Sequence, residues 1–219
     1  PEGLNVGQAR AAALPCRRLL AVGTDMAVGK MSACLSLLEA AQRSGIPARF
    51  VGTGQAGILI SGEGVALDAV RVDYAAGAIE AAVLRAADGL PEQGLVLVEG
   101  QGSLCHPAST ATLPLLRGTQ PTALLLVHRA GQQTIDRLPQ IPLPSLEALV
   151  ATIEALASWA RPEAAGPSAK VAAVALNTAR LDEAQAREEV ERIRQTLGLP
   201  CTDPIRWGSE PLLRALVDC

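Results

Sequence analysis

Residues 19–32 read Leu-Leu-Ala-Val-Gly-Thr-Asp-Met-Ala-Val-Gly-Lys-Met-Ser. An apolar run ends at Gly23, a short loop follows, and Gly29-Lys30 opens a helical pattern. Strand, glycine-bearing loop, lysine and helix in that order make a phosphate-binding loop. Successive backbone N–H groups, the positive end of the helix and one ammonium converge on a multiply charged anion. A plain strand-to-helix turn would not need all four parts in sequence. Gly23, Thr24, Asp25, Val28, Gly29, Lys30, Met31 and Ser32 are therefore the candidate anion-binding set. Their spacing departs from the common form, which has four residues between its first glycine and Gly-Lys and a hydroxyl directly after the lysine. Here five residues separate Gly23 from Gly29, Met31 follows Lys30, and the hydroxyl comes at Ser32. In the common form that hydroxyl ligates Mg²⁺. One step along a helix turns a side chain by about 100°, so Ser32 is a poor replacement. Phosphate binding is expected, whereas Mg²⁺-dependent phosphoryl transfer is in question. If Mg²⁺ is used, Ser32 and Glu99 are its candidate ligands.

Three other apolar runs end in polar or glycine-rich motifs, at residues 53–57, 99–106 and 177–178. Ligands of open α/β sheets sit beyond the carboxyl ends of the strands, so these motifs are expected to form one rim with the loop above. Glu99 closes a buried run and is followed by glycines. A carboxylate there can hold a metal or act as a general base; the plainer alternative is a solvated strand-end acid. His106 can titrate near neutral pH, or can be a loop histidine bonded to backbone. Asp73, in Val-Asp-Tyr-Ala-Ala-Gly, can orient an amine or simply charge a helix N-terminus. The catalytic candidates are thus Glu99, His106 and Asp73. Thr53, Gln55, Gly100, Gln101 and Gly102 are candidate substrate contacts. Asn177 carries both a donor and an acceptor and can read a nucleobase edge, or shape a turn. His128 also ends an apolar run, with less reason to assign it chemistry. Cys105 lies beside these groups without an activating arrangement.

The elements that must position these residues alternate. Apolar strands are expected at residues 17–22, 48–52, 94–98, 123–127 and 170–176, with a short one at 204–207. Helices are expected at 31–44, with Met31, Leu35 and Leu38 on the apolar face, at 65–87, at 145–160, from Asp182 and from Glu210. The helix from Asp182 is the clearest, with Ala186, Val190, Ile193 and Leu197 on one face and Gly198 as its stop. Three prolines make residues 139–144 a loop. Strands alternating with amphipathic helices imply an α/β fold, a mainly parallel sheet with helices on both faces. Residues 1–15 read as a linker and 16–219 as one domain. Formal net charge is −3, and Phe50, Tyr74, Trp159 and Trp207 are the only aromatic residues. Stacking platforms for nucleic acid are excluded on that count, so the expected partner is a small-molecule substrate. No stretch is apolar for long enough to span a membrane, and no signal-peptide pattern opens the chain. Five scattered cysteines lack metal-ligand spacing and suit a reducing cytoplasm. A homo-oligomer is compatible with the sequence. A chain starting at Pro1 is expected to be a fragment or a processed product.

Gly23-Thr24-Asp25 leading to Val28-Gly29-Lys30, with Val98-Glu99-Gly100 and Leu176-Asn177, resembles dethiobiotin synthetase. That likeness implies a P-loop NTPase-like fold, Glu99 as a metal-binding acid and Asn177 as an adenine contact. A closer resemblance covers almost the whole chain. Residues 23–31, Gly54-Gln55-Ala56-Gly57-Ile58-Leu59-Ile60 and Val98-Glu99-Gly100-Gln101-Gly102-Ser103-Leu104 with His106-Pro107 look like the D-glutamate N-acetyltransferase family, long known as a P-loop domain of unknown function. Longer members carry an additional N-terminal Rossmann-like domain, and this chain resembles their C-terminal part. The resemblance implies acetyl transfer from acetyl-CoA to the amine of D-glutamate. Glu99 or His106 would serve as base, and backbone N–H groups near residues 100–102 as oxyanion donors. The runner-up is a carboxylate kinase or ligase using ATP with Mg²⁺. A third alternative is a nucleotide-binding module without catalysis.

Overall fold

The computed structural model describes residues 5–218. The first half runs β1 (Arg17–Gly23), α1 (Lys30–Arg43), β2 (Ala48–Val51), α2 (Gln55–Ser61), α3 (Val72–Ala87), β3 (Leu95–Val98) and α4 (Thr112–Thr119). The second half runs β4 (Ala123–Arg129), β5 (Thr134–Ile135), β6 (Leu138–Pro142), α5 (Leu146–Ser158), β7 (Lys170–Asn177), α6 (Glu183–Leu197), β8 (Cys201–Thr202), α7 (Pro204–Trp207) and α8 (Glu210–Val217). Six strands form one parallel sheet in the order β2-β3-β1-β4-β7-β8. Strands buried on both faces must be apolar at every position, and β1 shows it. Leu19 and Ala21 pack with Leu37 of α1 and Leu212 and Leu216 of α8. Leu20 and Val22 pack on the opposite face with Ile79, Leu115, Ile153 and Ile193, from α3 to α6. The expected α/β fold with both faces covered is thus the observed one. Among the described residues no helix is long and apolar enough to cross a membrane.

This order positions the site. From β1 the chain passes through α1 to β2 at one edge, whereas from β4 it continues to β7 and β8 at the other. Neighbouring strands whose connections diverge leave a crevice beyond their carboxyl ends. Here those strands are β1 and β4.

Several local expectations are corrected. The buried face of α1 is Lys30, Ala33, Cys34, Leu37, Ala40 and Ala41; Met31, Leu35 and Leu38 are only half-buried. Small residues let this helix sit close to the sheet, and the bulkier leucines flank the contact. Residues 204–207 are helical rather than extended. Buried Asp203 caps them by accepting from the Ile205 and Arg206 N–H groups, and Pro204 occupies the first turn, where its missing N–H is no loss. Residues 139–142 of the proline-rich stretch are strand, not loop, and only 143–144 lie outside it: β6 pairs antiparallel with β5 in a two-stranded ribbon. Every strand of such a ribbon has a free edge, where a proline breaks no ladder bond. The short helices α2 and α4 had no counterpart in the sequence reading. Residues 10–13 form a 3₁₀ turn fastened to α3, because buried Glu80 accepts from the Gln8 N–H (3.0 Å), the Arg10 N–H (2.8 Å) and Arg10 Nε (2.7 Å).

Candidate functional site

The loop between β1 and α1 is held from all sides. Gly29 caps α1 at φ 110, a conformation that side-chain-bearing residues rarely adopt. Thr24 is fully committed. Its N–H donates to the Val127 carbonyl of β4 (3.1 Å), its carbonyl accepts from Ser103 Oγ (2.9 Å), and its hydroxyl pairs with His128 Nδ1 (3.0 Å). Burial is the main cause that brings His128 down to about 4, with Arg192 and Arg129 adding to it and Glu189 opposing. The imidazole is therefore neutral at pH 7. Asp25 is buried, and its carboxylate accepts from the Met26 N–H (2.7 Å), the Asp136 N–H (2.7 Å) and Gln132 Nε2 (2.6 Å). Burial pushes this acid up, but the donors from Asp136, Met26 and Gln132 outweigh it and leave it below its ordinary value. Asp25 thus shapes the loop and ties it both to the turn before β5, through Gln132, and to the turn of the β5–β6 ribbon, through Asp136.

Lys30 opens α1 and is buried. Its ammonium donates to the Asp25 carbonyl (2.8 Å) and the Met26 carbonyl (2.7 Å). Burial lowers it to about 8, with Asp25, Glu99 and Cys34 pulling the other way. Among the described residues, the N–H groups of residues 27 and 29–32 donate to no protein acceptor. A lysine beside unpaired N–H groups at a helix N-terminus has the donors that an anion cradle requires.

Glu99 follows β3 and is buried. Its Oε2 accepts from the Thr53 N–H (2.9 Å) and the Gly54 N–H (3.3 Å), and Thr53 Oγ1 donates to the Glu99 carbonyl (3.0 Å). The loops after β2 and β3 are thereby locked together, as the rim expectation required. Gly100 passes so close to β1 that a Cβ would overlap the Ala21 carbonyl and lie 2.8 Å from Lys30 Cδ. Gln101 lines the same small crevice as Lys30, and its buried Oε1 has no partner among the described residues. His106 Nδ1 accepts from the Ala108 N–H (3.1 Å). That bond assigns the proton of the neutral ring to Nε2, so the free nitrogen is a donor. Burial raises the Cys105 thiol, with the Ser103 hydroxyl opposing, so the cysteine is not activated. Gln55 is exposed at the start of α2. Asp73 shares no hydrogen bond or ion pair with this group among the described residues, although its neighbours Val72 and Ala75 border a cleft shared with Met26, Gln101 and Gly102. It is exposed in the first turn of α3, where a helix N-terminus favours a carboxylate.

On the other flank of the loop, an apolar cavity of about 290 Å³ is bounded by Val28, Gly29, Ser32, Asn177, Pro204 and Ile205. Asn177 donates from Nδ2 to the Val28 carbonyl (3.0 Å) and accepts at Oδ1 from the Ala179 N–H (3.1 Å). Its amide pins the loop while keeping one further proton and one further lone pair free. Ser32 is exposed and faces this cavity, whereas Glu99 is held by Thr53 and Gly54. The two candidate Mg²⁺ ligands thus face different surroundings. Among the described residues no group of three or more His, Cys, Asp or Glu side chains is placed to hold a metal ion. The sequence reading missed three residues that brace the loop: Gln132, Asp136 and Arg129, whose guanidinium donates to the Ala27 carbonyl. Each lies more than a hundred residues from its partner, and no local pattern marks it.

The family model of DUF1611, described as a P-loop domain of unknown function, matches residues 5–213. A D-glutamate N-acetyltransferase from a Pseudoalteromonas species is 40% identical over 201 residues, 91% of this chain and 58% of that protein. A D-glutamate N-acetyltransferase from Tritonibacter scottomollicae matches to the same extent. The chain therefore spans less than two thirds of these curated relatives. The crystal structure of a DUF1611 family protein from Anabaena variabilis is similar with a TM-score of 0.93 and 48% identity, over 100% of this chain and 62% of that one. Chloroplast FtsY from Physcomitrella patens, at TM-score 0.51 and 15% identity over 98% of this chain and 67% of its own, shares the fold alone.

Proposed function

Given that the chain belongs to the DUF1611 P-loop domain family, we propose that it is an N-acetyltransferase domain moving acetyl from acetyl-CoA to the amine of D-glutamate or a related amino acid. The observation that carries this reading is the cradle at Lys30: a buried ammonium and unpaired N–H groups beside a buried carboxylate. The names of the two curated relatives support the acetyl transfer and its acceptor.

Lys30 and the N–H groups of residues 29–32 hold the pyrophosphate of the cosubstrate. The apolar cavity beside Val28 and Asn177 takes its adenine ring. Glu99, through the Oε1 that no protein donor occupies, removes a proton from the acceptor ammonium. The amine then attacks the thioester carbonyl, and the oxyanion that forms is stabilised by backbone N–H groups of residues 100–102 and by His106 Nε2–H. The C–S bond breaks, the amide forms, and the CoA thiolate departs and takes up a proton.

The test is a binding panel of CoA, acetyl-CoA, ATP and ADP with and without Mg²⁺, together with thiol release from acetyl-CoA in the presence of D-glutamate. CoA binding abolished in Lys30→Ala, with thiol release that needs no ATP, is the expected result. Glu99→Gln keeps an acceptor for Thr53 and Gly54 but loses the base, and should slow turnover by about 10²–10⁴. ADP release dependent on both Mg²⁺ and an amino acid would replace this reading with an ATP-dependent ligase.

A further inference from the structure

Beside the phosphate-binding loop, bounded in part by the bracing residues Arg129, Gln132 and Asp136, lies a further cleft of about 380 Å³. Its walls are the turn after β4, the β5–β6 ribbon and the loop leading into α6. Three arginines line it, Arg129, Arg137 and Arg180, against one acidic residue, Asp136, in a chain whose formal net charge is −3. Arg129 is the innermost: it donates to the Ala27 carbonyl of the loop and lies 3.8 Å from Asp136. Arg137 and Arg180 are exposed, and among the described residues neither makes an ion pair or donates a side-chain hydrogen bond. Arg137 sits in the ribbon's turn at φ 63, a conformation that glycine or asparagine adopts at less cost.

The cleft is continuous with the rim described above. The Ala130 N–H donates to the Asn177 carbonyl (3.0 Å), and the Asp136 N–H donates to Asp25. Asn177 and Ala179 line the apolar cavity, while Arg180, the next residue, lines the arginine cleft. A ligand whose pyrophosphate occupies the cradle and whose flat ring fills the cavity would carry a further oxyanion on its ribose toward these arginines.

We infer that the cleft is a second oxyanion site, taking a phosphate monoester or a carboxylate. Guanidinium forks match both groups with paired, charge-assisted hydrogen bonds. The inference rests on the proposed function for its two sources: the 3′-phosphate of CoA, which ATP lacks, or a carboxylate of the acceptor amino acid.

The test is the double variant Arg137→Asn/Arg180→Gln. Both positions are exposed, and asparagine tolerates the backbone at residue 137, so circular dichroism should be unchanged. CoA affinity reduced by about tenfold or more, with dephospho-CoA affinity unaltered, assigns the cleft to the 3′-phosphate. Unaltered CoA affinity with a tenfold higher KM for D-glutamate at constant kcat assigns it to a carboxylate. Neither change, in a protein whose wild type binds CoA through Lys30, overturns the second site and leaves the proposed function standing. If the wild type binds no CoA, the proposed function fails. The cleft is then read by thermal stabilisation with inorganic phosphate in a Lys30→Ala background. Stabilisation lost on adding the two arginine changes supports the site, and no difference overturns it.

Discussion

Replacing Lys30 by methionine, which keeps the length of the side chain and removes its charge, should change how stability depends on pH. Burial moves the ammonium from its ordinary 10.5 to about 8 despite the pull of Asp25 and Glu99. At 1.36 kcal/mol per pH unit, carrying the charge at pH 7 costs the folded chain about 3 kcal/mol. Between about pH 8 and 10.5 the unfolded chain holds this proton and the folded chain does not. The wild type must therefore gain stability relative to Lys30→Met as pH rises through that window, by about 3 kcal/mol in all. Below pH 8 both states are protonated and the full cost is present. Urea unfolding of the two proteins at pH 7, 8, 9 and 10 measures the difference directly, because every other titrating group is common to both. A flat difference would refute the claim that burial dominates at this lysine. A wild type that loses ground to the variant would mean that the Asp25 and Met26 carbonyls stabilise the charge by more than burial costs. Saturating CoA should shift the rise to higher pH, since a bound anion favours the charged form.

Gly100→Ala places a methyl group on the Ala21 carbonyl and 2.8 Å from Lys30 Cδ; a loss of about 1–3 kcal/mol is expected, read as a lower urea midpoint, together with weaker CoA binding. Glu80→Ala strands the N–H groups of Gln8 and Arg10, and should cost about 3 kcal/mol and make residues 5–13 the first site of limited proteolysis. His128, brought down to about 4 by burial, must gain a proton as the chain unfolds in acid. Stability should fall by about 3 kcal/mol as pH drops from 6.5 through 4, and acid titration of His128→Gln should show a shallower decline.

Features with a short-range cause were legible in the sequence. The helix start at Asp182, the face of Ala186, Val190 and Ile193, and the stop at Gly198 all appear as read, and the capping box that Asp182 forms with Gln185 is what fixes that start. So does the strand–loop–helix at Lys30, because a glycine, a lysine and an apolar run need only their neighbours to declare themselves. Where one residue type serves two structures, the reading failed. Pro204 read as part of a strand, but the Asp203 side chain before it makes the same residue a helix start. The prolines of β6 read as breakers, because a two-stranded ribbon with free edges leaves no local trace. At the site, Glu99 was legible from its place after an apolar run, but its fixation by Thr53 and Gly54 was not. Arg129 and Gln132 had no signal at all, since their purpose lies in a loop far away in the chain.

The pairing of β1 also has a consequence for biosynthesis. Leu95 of β3 and Ala123 of β4 are the first residues in their strands to meet β1, opposite Arg17 and Leu19. A ribosome adding about 5–20 residues per second delivers β4 on the order of 5–20 s after β1 has been made. Throughout that interval the nascent strand Leu-Leu-Ala-Val shows both edges, then one, to its surroundings. A strand that is buried on both faces of the finished molecule thus waits unpaired while about a hundred further residues are translated, the interval in which an exposed apolar edge invites misassociation.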